Sequence, residues 1–166
     1  MPSFHKATPE DIPLIRELCL QVWPQTYSSM LPPGQVDYML ELMYSEKSLQ
    51  EQMASGACFV IVSVDEVPVG FASWTEMEAR KFKLEKLYVL PSQQGKGTGR
   101  AFIEHIANEI FQAGGTAVYL QVKKTNPARY FYEKTGFSIK EEVVLDIGNG
   151  FVMDDYIMER NLTENS

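Results

Sequence analysis

The stretch Leu84-Glu85-Lys86-Leu87-Tyr88-Val89-Leu90-Pro91-Ser92-Gln93-Gln94-Gly95-Lys96-Gly97-Thr98-Gly99-Arg100 decides how the rest of the chain is read. An apolar, strand-like run stops at Pro91 and crosses three glycines spaced two apart. It then enters a segment in which Phe102, Ile103, Ile106, Ala107 and Ile110 recur at helical spacing. Such a strand, turn and helix start aims backbone N–H groups and the positive end of a helix at one place, which suits an anion. Missing side chains let oxygen atoms touch the backbone there, and Lys96 and Arg100 add two cations. The nucleotide loops with this general form do not fit. After Gly95-Lys96 comes Gly97-Thr98, so the phosphate-loop lysine before a hydroxyl is missing, and Gly95, Gly97 and Gly99 break the Gly-x-Gly-x-x-Gly spacing.

Working outward, Phe4 to Ala7 reads as a strand, and Thr8-Pro9-Glu10-Asp11 starts a helix that runs to about Trp23, with a hydroxyl cap, an early proline and acids in the first turn. Pro32-Pro33-Gly34 opens a second helical segment with Val36, Met39, Leu40 and Met43 on one stripe, and Ser45 to Ala54 continues it after a break. Cys58 to Val64 and Val69 to Thr75 are β-branched runs around a turn at Asp65-Glu66-Val67-Pro68, followed by a strand over about Lys81 to Leu90. The helix after the glycines closes at Gly114-Gly115. Val118, Leu120 and Val122 alternate as a strand, Asn126-Pro127 caps a short helix that stops at Gly136, and two last strands flank Gly148-Asn149-Gly150. The order β-α-α-β-β-β-α-β-α-β-β is an α/β arrangement.

The 166 residues suit one domain over residues 1–162 with a polar tail at 163–166. The net charge of −7 disfavours nucleic acid and favours cationic partners. The chain start lacks a basic stretch followed by an apolar one, and no apolar run nears a bilayer span, so no membrane contact is expected and the default location is cytoplasmic. Cys19 and Cys58 lack companions with zinc spacing, and no metal site is expected. His5 and His105 read as surface or capping residues.

Gln94-x-x-Gly97-x-Gly99, after the strand end Leu87-Tyr88-Val89-x-Pro91, resembles the pyrophosphate loop of the GNAT superfamily of acetyl-CoA-dependent N-acetyltransferases. A second segment, Asn126-Pro127-Ala128-Arg129-Tyr130-Phe131-Tyr132-Glu133-Lys134-Thr135-Gly136-Phe137, resembles a later GNAT signature, although Ala128 stands closer to Asn126 than the family pattern has it. The resemblance implies a GNAT fold: a central, mostly antiparallel mixed sheet of about seven strands, splayed between strands 4 and 5 and flanked by about four helices. It implies acetyl-CoA as co-substrate, with Gln94 and the N–H groups from Gly95 through Lys96, Gly97, Thr98 and Gly99 to Arg100 around the pyrophosphate. Leu87, Tyr88 and Val89 would lie along the pantetheine, and Asn126 and Lys134 would touch the cofactor. Asn126 equally reads as a helix cap and Lys134 as a solvated charge. Tyr132 is placed by the family beside the cofactor sulfur, the alternative being a packed tyrosine.

Acyl transfer from a thioester needs a neutral amine, a held carbonyl oxygen and a protonated leaving sulfur. An amine of pKa about 10.4 is neutral in about one molecule in 2500 at pH 7, so a base is useful. A tyrosine of pKa about 10 can protonate a thiolate whose thiol has pKa about 8.5 at a cost of roughly 2 kcal/mol. Tyr132 is the candidate acid. Alternation puts Glu85 on the strand face of Leu87 and Val89, and relatives resembling bacterial spermidine/spermine acetyltransferases carry a similar Glu-x-Ile/Leu-Tyr unit, which makes Glu85 the candidate base. A carboxylate that orients water, or pairs with Lys83 or Arg100, is the other reading.

The helical arm should supply the acceptor side. Trp23 and Tyr27, with Tyr38, Met39, Met43 and Tyr44, offer aromatic and thioether surface for an alkylammonium, though such a stripe is also what a core looks like. The expected reaction is acetylation of a small cationic amine such as a polyamine. A protein N-terminus or lysine is the rival acceptor, a non-catalytic CoA sensor the rival function, and the terminal strands could form a homodimer edge.

Overall fold

The computed structural model describes residues 2–27, 31–32 and 34–162, and within these the side chains of residues 22–27 are not described. The chain runs β1 (Pro2–Lys6), α1 (Ile12–Tyr27), α2 (Gln35–Tyr44), α3 (Glu46–Ala54), β2 (Cys58–Val64), β3 (Val67–Glu76), β4 (Lys81–Val89), α4 (Thr98–Gln112), β5 (Ala117–Lys123), α5 (Ala128–Lys134), β6 (Ser138–Gly148) and β7 (Phe151–Asn161). The seven strands form one open mixed sheet in the order β1-β2-β3-β4-β5-β7-β6. Among the described residues there are five α-helices, about four having been expected, and the break anticipated in the second helical segment falls at Ser45. That residue is extended (φ −64°, ψ 156°), and its Oγ accepts the Ser48 N–H at 3.2 Å, so the break is itself a cap for α3. Residues 163–166, read as a polar tail, lie outside the described residues.

Contacts divide the chain into two units, Met1–Thr75 with Lys86–Phe102, and Glu76–Glu85 with Ile103–Ser166. In the first, β1 pairs antiparallel with β2 from Pro2↔Val64 to Lys6↔Val60, and β2 with β3 from Cys58↔Trp74 to Val64↔Val67. The turn between β2 and β3 is the two residues Asp65 and Glu66, both at positive φ (52° and 68°), rather than the longer Asp65–Pro68 turn expected. Pro68 is a strand residue opposite Ser63, next to a register shift after Val62, and strand ends and bulges are where a sheet tolerates a missing N–H. Fully buried Phe59, Ile61, Phe71, Ile15 and Leu49 form the core of this unit. Thr8 is the N-cap of this start, as expected, and forms a capping box with Asp11. The Asp11 carboxylate accepts the Thr8 N–H at 2.9 Å, and the helix α1 continues past Trp23 to Tyr27.

In the second unit, β4 pairs in parallel with β5 from Lys81↔Ala117 to Leu84↔Leu120, and the ladder ends there although β4 runs on to Val89. The expected opening between strands 4 and 5 therefore begins after Leu84. β7 lies between β5 and β6, antiparallel to both, from Ala117↔Asn161 to Lys123↔Asp155 on one side. Val118, Leu120 and Val122 are buried, as are Ile103, Ile106, Ala107 and Ile110 of α4, while the alternate residues Tyr119, Gln121 and Lys123 are half-buried on the opposite sheet face.

Candidate active site

The glycine loop takes its shape from backbone conformation. Leu90 sends its N–H to the Val69 carbonyl at 2.8 Å, which fixes where β4 leaves the sheet. Pro91–Gln93 make a 3-10 turn closed by Gln93 and Gln94 N–H bonds to the Leu90 and Pro91 carbonyls. Gly95 and Gly97 then lie at φ 79° and 80°, which L residues adopt only under strain. At both positions an added Cβ would meet no atom within 4 Å. Their side chains are missing for conformation, and the space beside them is open to a bound group. Gly99 is half-buried in the first turn of α4 and is not among the positive-φ residues, so backbone strain does not account for it. Thr98 is 3% exposed and donates its hydroxyl to Gln93 Oε1 at 3.1 Å, pinning the turn to the helix start. Gln94, Lys96 and Arg100 are exposed.

On β4, alternation divides the strand: Phe82, Leu84 and Lys86 are buried, whereas Glu85 is exposed and Leu87 half-buried. Tyr88 packs its ring against Phe71 (5.7 Å between centroids) and Tyr44 (6.5 Å), and this leaves its backbone as the part available along the strand edge. Gly70 permits the close approach of β3, since a Cβ there would overlap the Tyr88 carbonyl oxygen and come within 3.1 Å of Val89 Cα. Glu85 follows the last ladder residue on the face that carries Lys83 and its register partner Tyr119. Burial pushes the Tyr119 phenol up, and Glu85 adds to the shift.

The second signature forms α5 and its cap. Asn126 is 6% exposed, and its Oδ1 accepts the Ala128 N–H at 2.8 Å, so its carbonyl amide oxygen is engaged as the helix cap. Tyr132 is half-buried, its ring edge-on to Phe131 (5.5 Å) and Phe137 (5.7 Å), and Lys134 is exposed in the last helical turn. The helix end is tied by Arg160 of β7. Its guanidinium reaches both oxygens of Glu104 on α4 at 3.1 and 3.2 Å and the Thr135 carbonyl at 3.0 Å. Gly136 (φ 99°) lets the chain turn directly over the Arg160 side chain, where a Cβ would lie 3.2 Å from Cδ.

A family profile described as "Acetyltransferase (GNAT) domain" matches residues 31–158. The chain belongs to the GNAT acetyltransferase family. An uncharacterized N-acetyltransferase, YuaI of Bacillus subtilis (strain 168), is 28% identical over 138 residues, covering 80% of this chain and 78% of that protein. Among solved structures, the PaiA N-acetyltransferase of Thermoplasma acidophilum in complex with coenzyme A superposes with a TM-score of 0.81 at 22% identity, covering 97% of this chain and 99% of that one. A spermidine N-acetyltransferase SpeG chimera from Vibrio cholerae and hSSAT gives 0.70 at 21% identity, with 96% and 95% covered. As a GNAT domain, the chain is an acetyl-CoA-dependent N-acetyltransferase. The open cradle over Gly95 and Gly97, followed by the start of α4 and flanked by Lys96 and Arg100, fits a diphosphate.

The two units carry the expected residues separately. Leu87, Tyr88, Val89 and the loop from Gln94 to Arg100 are in the first, and Glu85, Asn126, Tyr132 and Lys134 in the second. The side chains of Trp23 and Tyr27 lie outside those described, while Met39 and Tyr44 of the same stripe are buried core. Among the described residues, three buried charged residues escaped the sequence reading: Lys86, Asp155 and Arg160. Lys86 Nζ sits 4.9 Å from the Tyr44 ring centroid and 6.0 Å from that of Phe59. Near it burial pushes the Cys19 thiol up to about 12 against the opposing pull of Lys86 and Arg16. Period-two counting from Phe82 and Leu84 could have placed Lys86 on the buried face. Among the described residues, no cluster of three or more His, Cys, Asp or Glu side chains could hold a metal ion, and no helix is long and apolar enough to cross a membrane.

Proposed function

We propose that the chain transfers the acetyl group of acetyl-CoA to a primary amine of a small cationic acceptor, a polyamine being the first candidate, by direct attack of the amine. The observation that carries the acceptor class is Glu85, an exposed carboxylate where the β4–β5 ladder ends, in a protein of net charge −7. A spermidine acetyltransferase among the structures with this fold is consistent with that choice.

In this reading the N–H groups between Gly95 and Arg100 hold the diphosphate of acetyl-CoA, with Lys96 and Arg100 adding charge and Gln94 a side-chain amide. Lys134 contributes a further cation. Asn126 acts by holding the start of α5 with its oxygen and keeps its amide N–H for the cofactor. Leu87, Tyr88 and Val89 present backbone along the acyl arm, and a strand N–H near Val89 holds the acetyl oxygen. Acetyl-CoA supplies an activated thioester. Glu85 takes the proton lost by the attacking nitrogen, directly or through one water, while the N–C bond forms and the C–S bond breaks. Tyr132 gives its phenolic proton to the leaving sulfur and recovers one from solvent. Trp23 and Tyr27 line the acceptor side with aromatic surface. The protein works in the cytoplasm on a freely diffusing amine.

The test is thiol release from acetyl-CoA with spermidine, spermine, diamines, aminoglycosides, amino acids, and peptides with a free N-terminus or lysine. Release with polyamines and diamines is expected. Tyr132→Phe should lower kcat by about a hundredfold with acetyl-CoA binding retained. Release with peptides alone would replace the acceptor assignment, and acetyl-CoA binding without release from any amine would favour a sensor.

A further inference from the structure

Asp155 is 2% exposed on β7, and the chemistry described so far does not use it. Burying a carboxylate is unfavourable unless donors or cations compensate. One oxygen, Oδ2, accepts the Gln121 side-chain N–H at 2.9 Å. Among the described residues, the other oxygen accepts no hydrogen bond. Lys123 stands opposite in register, and Lys124 and Asp154 lie near, but Lys124 is already engaged by Glu142 (3.1 Å) and Asp154 (2.9 Å). Burial consequently holds the Asp155 carboxyl above its ordinary range despite the two lysines.

The register also says which sheet face it occupies. Lys83, Tyr119 and Glu159 share a face through direct pairing, as do Gln121 with Ile157 and Lys123 with Asp155. Period two puts Tyr119, Gln121 and Lys123 on one side of β5, so Asp155 lies on the face where Glu85 follows Lys83. Two strand spacings, about 10 Å, separate β4 from β7 across the sheet, and Asp155 lies two residues, about 7 Å, beyond the level of Glu85, so the two backbones stand about 12 Å apart. An alkyl chain with an amine at each end can bridge that span.

We propose that Asp155, oriented by Gln121, is a specificity-determining residue that binds the second, non-reacting ammonium of a diamine or polyamine acceptor while Glu85 serves the amine that is acetylated. This rests on the acetyltransferase reading above and adds to it the requirement for two positive charges. A bound ammonium adds a cation to a carboxylate whose one side-chain hydrogen bond comes from the neutral Gln121 amide, and a monoamine cannot reach both carboxylates.

The test compares Asp155→Asn, which keeps the shape and can still accept from Gln121, with Asp154→Asn on the same strand. Wild type and variants are assayed against spermidine, 1,4-diaminobutane and butylamine at saturating acetyl-CoA, with thermal unfolding followed in parallel. The expected result is a KM for the diamine and spermidine raised at least tenfold in Asp155→Asn, a butylamine KM within twofold, an acetyl-CoA KM within twofold, and an unfolding midpoint equal to or above wild type. Asp154→Asn should leave all acceptor KM values within twofold. An unchanged diamine KM overturns the proposal, whether or not the midpoint falls. So does an equal rise for butylamine, which would put Asp155 at the reacting amine. Failure of any amine to shift the wild-type midpoint in the presence of coenzyme A overturns it while leaving the family assignment standing. Loss of acetyl-CoA binding by wild type itself would remove the reading beneath it.

Discussion

The loop from Leu90 to Arg100 and the segment from Asn126 to Phe137 are both strand-to-helix passages, yet they are held in different ways. The loop is closed by backbone bonds and by two glycines at positive φ, with Thr98 pinned to Gln93 by its hydroxyl. The α5 passage depends on side chains at both ends: Asn126 caps its start, and Arg160 with Glu104 holds the carbonyl of Thr135 at its finish. A backbone-built site tolerates changes at most side chains and fails at its glycines. A side-chain-built site can fail at a residue far away in sequence.

The largest effect should come from breaking the second kind. Arg160→Ala leaves Glu104 without its guanidinium and the Thr135 carbonyl without a donor. Because Glu104 is half exposed and can rehydrate, the expected loss is about 3 kcal/mol of stability, at the low end for a buried pair that loses one partner. Denaturant unfolding measures it. Arg160→Lys keeps the charge but not the forked geometry, and should recover less than half of the loss. A loss below about 1 kcal/mol in Arg160→Ala would mean that α5 does not depend on this clamp.

Breaking the first kind should change function more than stability. Gly97→Ala forces a residue with a side chain to adopt φ 80°, at a cost of about 1–2 kcal/mol, and puts a methyl group into the open space beside the loop. Acetyl-CoA affinity by calorimetry should fall at least tenfold, while Lys96→Ala, which leaves the backbone intact, should cost less. If Lys96→Ala is the worse of the two, side-chain charge rather than backbone shape governs this site.

The contrast also explains what could be read in advance. The element order and the glycine loop follow from short-range pattern, namely alternation, glycine spacing and a proline stop, whereas the opening beyond Leu84 was expected only from the GNAT resemblance. Asn126 as a cap is equally local. Arg160 and Asp155 are different, because their burial arises from pairings across the sheet, Arg160 with Val118 and Asp155 with Lys123, which no window of sequence contains. Asp154 and Asp155 are adjacent acids, and only the register tells that one pairs with Lys124 while the other is buried beside Gln121. The short Asp65-Glu66 turn was hidden for another reason, since neither residue is the glycine that such a turn prefers.

Side-chain-held structure should feel pH where the loop does not. The Asp155 carboxyl has a higher pKa folded than unfolded, so between its ordinary value of 3.8 and the raised folded value the native state binds more protons. Its contribution to stability is therefore complete below the unfolded pKa and is lost as pH rises through the folded one. Subtracting the stability of Asp155→Asn from that of wild type at each pH isolates this group from the other carboxylates. The difference should become less favourable to wild type as pH increases above about 4, with Lys123 and Lys124 limiting its size. A difference that instead grows with pH would mean that the lysines outweigh burial.

The smallest expected effect tests whether backbone shape is always encoded where it is used. Asp65 and Glu66 adopt positive φ (52° and 68°) to join β2 to β3, the geometry for which Asn-Gly is preferred, and they do so with side chains that disfavour it. At the loop, Gly95 and Gly97 occupy comparable φ without strain. If the β2–β3 turn is forced by the pairing from Cys58↔Trp74 to Val64↔Val67, then Glu66→Gly relieves strain at no loss of contact. The gain should be about 1 kcal/mol in denaturant unfolding, part of it offset by the greater freedom of glycine in the unfolded chain. Acetyl-CoA affinity should not change. The same substitution reversed at the loop, glycine to a larger residue, harms binding, and that asymmetry separates a turn that only connects strands from one whose open backbone is the binding surface.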